Sequence, residues 1–473
     1  MKYRSLSGKR ALAVRHIMRR VRNNVYDVLG QAYTTYLASC SPNIRCQIQD
    51  LIPKLALSDP LHWDIDFSEI TKKNGFDVVL GNPPYVEDNA LNISKMDLLV
   101  LKAERKAASN KGHAPLIYKT KDCGNTHAYF IERSLNLLKR DGILGFIVPV
   151  SLVSTDRMAP VREVIMSSSQ SVEYYNFDDR PGKIFSGIEH CRSTIVIAEK
   201  GNGVNEVTTS RYHRWYSKNR PELFDDLKTV KYGIPDRRAI IPKIGTEYEL
   251  HILEKMKEQA EGKTLRDFLK GEGTKVWYHN APQYWVHSHY DKYVPKAEYY
   301  REYTRDDRSG EIKLIGSPYE TKITDQYKSI EFDPNIAAAV AAVLNSSLFY
   351  WWFVIWSDGR HLLSDHILSL PFNPEKIDSG LLESLNKKCI ELMDGYELNS
   401  NIKPNIRKGG YAMKIREIIP KKSYERILEI DEIIARIYDF DSEEANFFKN
   451  FDIDFRLGRD QSHIDEQRNT ELS

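Results

Sequence analysis

Residues 76–85 read FDVVLGNPPY, and this stretch decides how the first half of the chain is interpreted. A run of strand-forming residues ends at a Gly-Asn pair, and two prolines and a tyrosine follow at once. Because proline fixes its own φ angle and biases the preceding residue towards extended backbone, Pro83 and Pro84 should hold Asn82 in a rigid loop. The stretch therefore predicts a buried strand that ends by presenting the Asn82 side chain.

Short apolar runs alternate with amphipathic helical stretches from residue 76 to residue 200. Strands separated by helices are typical of a parallel, doubly wound α/β sheet. The last two strands, which no helix joins, should form an antiparallel pair at the edge of that sheet. The predicted strands are 76–80, 143–150, 171–177 and 192–200, and the predicted helices are 128–142, closed by Gly142, and 156–168.

The composition changes beyond residue 200, where aromatic, histidine and basic residues interleave, as in KVWYHNAPQYWVHSHYDKYVPKAEYY at 275–300. This texture favours short strands and loops. It suits base stacking and phosphate contacts with DNA, and a packed aromatic surface is the alternative. The sequence divides into a basic helical segment 1–59, the α/β unit 60–200, a linker 201–240, a second unit 241–458 and a polar tail 459–473.

The charge and cysteine content exclude several classes of protein. The 473 residues carry a formal net charge of +2, so any surface for a polyanion has to come from local clustering of basic residues. Five cysteines without a C-x-x-C spacing argue against a disulfide framework and a zinc site, and favour a reducing cytoplasm. His279, His287 and His289 lack ligand spacing with a nearby cysteine, so the sequence predicts no metal.

Two stretches resemble membrane or targeting segments. Residues 337–356 carry no charge and are long enough to span a bilayer. Polar residues at their centre and the lack of basic anchors instead favour a buried helix that ends in an aromatic surface, and no membrane is expected. The basic stretch 1–24 is compatible with a transit peptide or a nucleic-acid arm, but its pattern favours an amphipathic helix with a basic face.

The chemistry of the opening stretch indicates a flat substrate that bears an amino group. Ligands of parallel sheets lie beyond the carboxyl ends of the strands, where Asn82 is expected. Two acceptors that take the hydrogens of an aromatic amine favour a pyramidal nitrogen, whose lone pair can then attack an electrophilic methyl group. An aromatic plane such as Tyr85 would hold the ring. Such a site needs no separate strong base before attack.

The motif NPPY after a buried strand resembles the catalytic motif of the amino-methyltransferases that modify adenine in DNA. These enzymes occur in restriction–modification and related phage-defence systems. Further resemblance to the large type II members lies in LHWDIDFSEI at 61–70, in the helix and strand at 129–155 and in the hairpin at 183–200. A weaker resemblance to their target-recognition domain covers 341–372.

The resemblance implies a fold, a reaction and a set of site residues. The fold would be an incomplete doubly wound, Rossmann-like methyltransferase sheet at 60–200, followed by an α+β target-recognition domain at 241–458 that binds double-stranded DNA. Asn82 and the Pro83 carbonyl would accept hydrogen bonds from the amino group of a flipped adenine, with Pro84 stiffening the loop. Tyr85 would stack on the base, Phe185 would close its other face, and Phe130 would line the S-adenosyl-L-methionine pocket.

The sequence departs from the family pattern upstream of NPPY. It has neither an F-x-G-x-G turn after a first strand nor the acidic residue after a second one, so the cofactor half is missing. A sheet that begins at residue 76 would leave an apolar strand as an open edge, which invites pairing with another chain. The sequence therefore predicts either a partner polypeptide that supplies the cofactor half or a truncated, inactive reading frame.

Two other functions remain open from the sequence. NPPY also occurs in methyltransferases that act on a protein glutamine or on ribosomal RNA, although the long aromatic and basic C-terminal region favours DNA. A DNA-binding specificity subunit without catalysis is the rival from a different class. The sequence does not give the DNA sequence that would be recognised, because base readout depends on the placement of side chains in a groove.

Overall fold

The computed structural model describes residues 70, 74–87, 118–185 and 191–458, apart from positions 226, 235, 307, 309, 408 and 409. The predicted basic segment 1–59 and the polar tail 459–473 lie outside the described residues. The stretch 61–70 also lies outside them, except for its last residue.

A six-stranded mixed sheet forms the first layer of the molecule, in the order β1-β2-β4-β3-β5-β6. β1 runs parallel to β2, and β3 runs parallel to β5. The other neighbouring pairs are antiparallel. The strands are β1 Phe76–Gly81, β2 Leu138–Pro149, β3 Ser169–Phe177, β4 Ser193–Lys200, β5 Glu206–His213 and β6 Thr229–Gly233.

The order of the strands corrects two expectations from the sequence. β3 and β4 do form an antiparallel pair, but β4 lies between β2 and β3, in the interior of the sheet and not at its edge. The predicted linker 201–240 contains β5 and β6, so the sheet continues past residue 200. β5 contains the polar run 208–211 and β6 has only five residues, so neither gave a clear strand pattern.

Within the described ranges, three α-helices accompany the sheet: α1 Thr126–Leu137, α2 Ser151–Ser154 and α3 Ala159–Ser167. The helix predicted at 128–142 ends earlier, at Leu137, and β2 begins with the next residue. The pairing of β1 with β2 jumps from Phe76–Leu138 to Val78–Ile143, so residues 139–142 form an irregular insertion in the strand. Gly142 belongs there because a Cβ atom would lie 2.9 Å from the carbonyl oxygens of Lys139 and Phe76.

The second part of the molecule combines helices with three small sheets. The sheets have the orders β13-β7-β8, β12-β9-β15-β14 and β10-β11. The helices are α4 Glu247–Gln259, α5 Pro334–Asn345, α6 Ser347–Trp356, α7 Ser364–Leu368, α8 Ser379–Asn399, α9 Tyr424–Ile437, α10 Ser442–Asn450 and α11 Ile453–Leu457. The strands are β7 Leu269–His279, β8 Ser288–Tyr290, β9 Lys296–Tyr300, β10 Glu302–Arg305, β11 Ile312–Ile315, β12 Glu320–Ile323, β13 Tyr327–Phe332, β14 Asn401–Arg407 and β15 Tyr411–Glu417.

The uncharged stretch 337–356 belongs to two helices, where the sequence predicted one. α5 ends at Asn345, and Ser346 caps α6 by accepting a hydrogen bond from the Phe349 N–H. No single helix within the described ranges has the length and apolar character to cross a bilayer; α5 and α6 together do, but they bend by 71° at the break. Five of the six aromatic residues of α6 are buried and Trp356 is partly buried, so they do not form the expected aromatic surface.

The sheet and the C-terminal helices share one apolar core. Lys243, which follows β6 in the chain, is completely buried and donates from Nζ to the carbonyl oxygens of Ile355 and Ser357, at 3.0 and 2.5 Å. On the other end of α6, the Asp431 carboxylate accepts from the Ser347 N–H at 2.8 Å. These contacts fasten α6 between the β5–β6 side of the sheet and α9.

Candidate active site

The candidate site lies where β1 ends. Asn82 follows Gly81 directly, and its side chain is exposed. The register pairs Pro149 with Ser193 and Ser193 with Phe177, so the carboxyl ends of β1, β2 and β3 and the start of β4 share one edge of the sheet. The prediction that Asn82 lies at the carboxyl edge therefore agrees with the fold.

A cavity of about 450 Å³ opens beside this loop, against the exposed face of β1. It is lined by residues of β1, by Asn82, Pro83 and Pro84, and by the side of α1 that carries Phe130. The Phe130 side chain is 48% exposed, so it forms a wall of the cavity and not part of the core. Four of the residues selected from the sequence thus surround one cavity.

Tyr85 is half-buried behind the Asn82 side chain. Its hydroxyl lies 2.5 Å from Oδ1 of Asn82 and donates a hydrogen bond to the Ile147 carbonyl oxygen at 2.8 Å. Its ring is perpendicular to the His127 ring, with the centroids 6.3 Å apart. Burial raises the pKa of Tyr85 well above its usual range, so the hydroxyl keeps its proton at neutral pH.

The start of α1 holds the NPPY loop in place. The Thr126 hydroxyl donates to the Pro84 carbonyl oxygen at 2.5 Å and accepts from the Val86 N–H at 3.1 Å. The Thr126 N–H donates in turn to the Val86 carbonyl. The sequence interpretation missed this contact, although Asn125 before Thr126 is the kind of residue that caps a helix and brings its first N–H groups to a loop.

A second set of contacts supports the loop one residue further on. Arg157 binds Glu87 through both guanidinium NH2 groups, at 2.8 and 2.7 Å, and Asn125 donates to the same carboxylate at 3.1 Å. The hydrogen bond from Arg157 lowers the pKa of Glu87, so this carboxylate is ionised at neutral pH. Burial lowers the pKa of His127 to about 4, so the imidazole beside Tyr85 is neutral. Among the residues that the structure describes, the groups next to Asn82 are therefore neutral acceptors and not a strong base.

Phe185 lies in the loop that follows β3, at the same edge of the sheet, and is partly exposed. Within the described ranges it makes no ring contact with Tyr85, and residues 186–190 lie outside them. The same loop begins with Asp178 and Asp179, which pair with Arg192 at 3.1 and 3.3 Å. The structure thus brings Phe185 to the correct edge without joining it to the NPPY loop.

The residues around the cavity fit only part of an S-adenosyl-L-methionine molecule. β1, Phe130 and Leu137 provide an apolar wall for the adenosyl group, and Asn82 provides a polar group. Among the residues described, the lining includes no carboxylate to bind the ribose hydroxyls. In the part of the chain that the structure describes, no group of three or more His, Cys, Asp or Glu residues could hold a metal ion.

Comparisons with known proteins agree with the resemblance drawn from the sequence. The model of the Eco57I restriction-modification methylase family matches residues 27–185, about a third of the chain. The Methanocaldococcus jannaschii protein RM.MjaORFECS2P, named as a candidate type II restriction enzyme and methyltransferase, is 22% identical over 450 residues, which cover 92% of this chain and 32% of that protein. The resemblance to restriction–modification methyltransferases is thereby confirmed; specificity for adenine is not tested by it.

Two further comparisons cover smaller shares or weaker likeness. The type II restriction enzyme and methyltransferase RM.Eco57I of Escherichia coli is 30% identical over 103 residues, 22% of this chain and 9% of that enzyme. The type IIL restriction-modification enzyme MmeI, solved in complex with DNA, shares 10% identity over 82% of this chain and 59% of its own, with a TM-score of 0.41. The match covers about a third of the length of the M. jannaschii protein and about a tenth of the length of RM.Eco57I.

Proposed function

We propose that this chain carries the substrate-binding half of an S-adenosyl-L-methionine-dependent DNA methyltransferase. The enzyme would act on the exocyclic amino group of adenine and belong to a restriction–modification or phage-defence system. The observation that carries this proposal is the rigid Asn82-Pro83 pair at the mouth of a cavity on the carboxyl edge of the sheet. The match of residues 27–185 to a restriction-modification methylase family supports it.

The residues of the loop would act as acceptors for the substrate amine. The Asn82 amide oxygen would take one hydrogen of the amino group and the Pro83 carbonyl the other, since no described residue donates to that carbonyl. The Pro84 carbonyl is not a third acceptor for the amine, because it already accepts a hydrogen bond from the Thr126 hydroxyl. Holding both hydrogens in fixed positions localises the nitrogen lone pair and aims it at the cavity. S-adenosyl-L-methionine, when bound, supplies the methyl group.

An adenine inside a duplex is out of reach of such a loop, so the target nucleotide would be flipped out. The Tyr85 ring lies against His127 and would form one wall for the extruded base. Phe185, in the loop after β3, would close the opposite face once the DNA is bound. Phe130 would line the S-adenosyl-L-methionine pocket as a wall of the cavity.

A basic cleft in the second part of the molecule supports DNA as the partner. The cleft has a volume of about 710 Å³. Its described lining contains the solvent-accessible cations Lys403, Arg407, Arg416 and Lys421, the buried Arg456, and one carboxylate, Glu417, which pairs with Lys403 at 3.1 Å. Aromatic residues of the 281–287 loop form part of its floor. This combination suits a phosphate backbone with stacked bases.

The cleft adjoins the carboxyl ends of the strands, the end of the sheet at which the NPPY loop also lies. Tyr284 of the cleft lies under the Arg214 guanidinium at 5.4 Å, and Phe455 stacks on Tyr216 with the centroids 5.3 Å apart. Arg214 and Tyr216 follow β5 at its carboxyl end. DNA held in the cleft would therefore run along the carboxyl end of the sheet, where Asn82 is exposed.

A partner polypeptide, or a segment outside the described residues, would supply the rest of the cofactor site. β1 forms one edge of the sheet as far as it is described, and Val78 and Leu80 on it are 47% and 74% exposed. An added strand would cover these side chains and bring the missing carboxylate and glycine-rich turn to the cavity.

The proposal is tested by transfer of labelled methyl groups to plasmid DNA. The full chain would be mixed with the product of the neighbouring reading frame, and the position of the methyl group would be read by digestion of the DNA to nucleosides. We expect methyl transfer to adenine, with a loss of at least about 100-fold for Asn82→Ala. Asn136→Ala is the matched control, because Asn136 is exposed on α1 and outside the cavity.

Other outcomes would favour the remaining candidates. Transfer to RNA or to a glutamine peptide, and not to DNA, would move the substrate to one of the related families that share NPPY. Sequence-selective DNA binding that is unchanged by Asn82→Ala, without transfer under any of these conditions, would indicate a binding subunit and overturn the proposal.

A further inference from the structure

The Tyr85 hydroxyl lies between two groups that each require its proton. Oδ1 of Asn82 is 2.5 Å from it, and the carbonyl oxygen of Ile147 is 2.8 Å from it. A phenol has one proton, so it donates to one of these oxygens only. Whichever oxygen does not receive the proton would face the hydroxyl oxygen at close range without a hydrogen bond.

The Ile147 carbonyl has the stronger need for this proton. Ile147 lies opposite Ile195 of β4 on one side, but on the other side β1 pairs with β2 only as far as Gly81 opposite Phe146, so there Ile147 lies beyond the end of β1 and its carbonyl meets the Tyr85 hydroxyl. A backbone carbonyl within a sheet that loses its strand partner has to be satisfied by another donor. The Tyr85 hydroxyl takes the place of the missing strand at this point.

We infer that Tyr85 orients the Asn82 amide and is a positioning residue of the site as well as a wall for the base. If the hydroxyl gives its proton to Ile147, it can accept a hydrogen bond from the Asn82 NH2 group once the amide is turned by half a rotation. The Ile147 carbonyl, the Tyr85 hydroxyl and one N–H of Asn82 are then all hydrogen-bonded. The amide oxygen points away from Tyr85, where it can accept from a substrate amine.

The role of Tyr85 in the reaction rests on the proposed function, but the hydrogen-bonded arrangement of Asn82, Tyr85 and Ile147 does not. An amide presents an acceptor on one side and a donor on the other, so the wrong orientation would place the NH2 group of Asn82 next to the amine of the substrate. The Tyr85 hydroxyl fixes the correct orientation of the amide before the substrate binds. The ring and the hydroxyl of one residue thus have separate tasks.

Side-chain amide NMR tests the contact without any need for activity. In the full chain labelled with ¹⁵N-asparagine, the Asn82 NH2 signal is assigned by its loss in Asn82→Asp. We expect one of its two protons to be hydrogen-bonded in the wild type, and its shift to move to that of an exposed amide in Tyr85→Phe. An Asn82 signal that is identical in the two proteins would overturn the inference.

Kinetics test the consequence for catalysis. In the methyl-transfer assay, we expect Tyr85→Phe to lower kcat about fivefold to tenfold with little change in KM, since the ring is retained and one orienting hydrogen bond is lost. A carboxylate has two equivalent oxygens and no orientation to lose, so Tyr85→Phe in the Asn82→Asp background should cost less than about twofold. Tyr175→Phe, which removes a hydroxyl bound to Glu173 on β3, is the matched control.

The two experiments fail in different ways. Absence of methyl transfer with every partner and substrate would remove the proposed function, while the NMR result would still decide whether Tyr85 holds the amide. A change in the Asn82 signal without any change in kcat, or an equal loss in both backgrounds, would show that the hydroxyl does not position the amide for the reaction.

Discussion

The two edges of the six-stranded sheet are built differently. β6 is short, and its outward residues include Thr229 and Lys231, the latter paired with Glu206 at 3.4 Å. β1 instead exposes Val78 and Leu80 at the opposite edge. Charged and polar residues on an edge strand discourage further pairing, whereas exposed aliphatic residues invite it.

The packing of the described residues differs in the same way between the two sides of the sheet. Next to β6, the chain passes through Lys243 into contacts with α6, and the buried Arg214 ties the end of β5 to the C-terminal helices. No comparable contact covers β1 among the residues described. Within the described ranges, the sheet packs against other elements on the β5–β6 side, here called the finished side, and is open on the β1 side, called the unfinished side, where the candidate site lies.

The largest effect is expected on the finished side, at Arg214. This buried side chain donates from Nε to Asp178 at 2.7 Å and from Nη1 to Asp452 and the Tyr350 hydroxyl. Arg214→Ala would leave buried carboxylates without their cation, and we expect the free energy of unfolding to fall by about 3–5 kcal/mol in urea titrations. Lys231→Ala, which breaks an exposed pair on β6, should change it by less than about 0.5 kcal/mol. Similar losses in the free energy of unfolding for Arg214→Ala and Lys231→Ala would contradict the proposed difference between the buried contacts and the exposed edge strand.

The next effect concerns Asp431, which caps α6. Burial raises the pKa of this carboxyl to about 7, so the folded protein binds a proton more tightly than the unfolded chain does. Its contribution to stability is complete below about pH 4 and is lost as the pH rises towards 7. The free energy of unfolding of Asp431→Asn, measured relative to that of the wild type, should therefore rise by about 2 kcal/mol as the pH is raised from 5 to 8. A difference that stays constant over this range would contradict the assignment.

A smaller effect is expected in the basic cleft beside the finished side. Arg407 and Lys421 are exposed there and form no ion pair with a described residue. Each substitution by Ala should weaken binding of duplex DNA about threefold to tenfold at moderate salt and reduce the slope of log K against log salt by about one. Lys328→Ala, on the exposed face of β13 outside the cleft, should leave both quantities unchanged. Equal effects at all three positions would point to non-specific attraction.

The smallest effect is the most direct test of the unfinished edge. Leu80→Lys should reduce the fluorescence of bound 8-anilinonaphthalene-1-sulfonate by about half, because it removes the most exposed apolar side chain of β1. Thr229→Lys, at an outward position of β6, is the matched control and should have no effect. If the dye does not distinguish the two variants, the β1 edge is covered in solution.

The sequence predicted the strands of the sheet better than their order. β1 and the strands near 143–150, 171–177 and 192–200 appear where alternating or continuous apolar residues required them. The insertion of β4 between β2 and β3 depends on which strands find each other in space, and no local pattern contains that information. The end of α1 was misplaced because LLKRD fits a helical period as well as it fits the start of a strand.

The candidate site was predictable only in part. NPPY was visible because prolines stiffen a loop through their own covalent geometry, and Phe130 was found through resemblance. The contacts of Thr126 with Pro84 and of Arg157 with Glu87 join residues about 40 and 70 positions apart. They arise from the packing of α1 and the segment before α3 against the loop, which a local motif cannot reveal.

The contact between Thr126 and Pro84 has a consequence for the number of methyl groups that the loop would deliver. With the Pro84 carbonyl occupied, Asn82 and Pro83 provide two acceptors, which match the two hydrogens of a primary amine. A product that carries one methyl group has a single hydrogen left and would leave one acceptor unsatisfied. On the proposed function, the loop therefore binds the unmodified base more tightly than the product, and the reaction stops after one transfer.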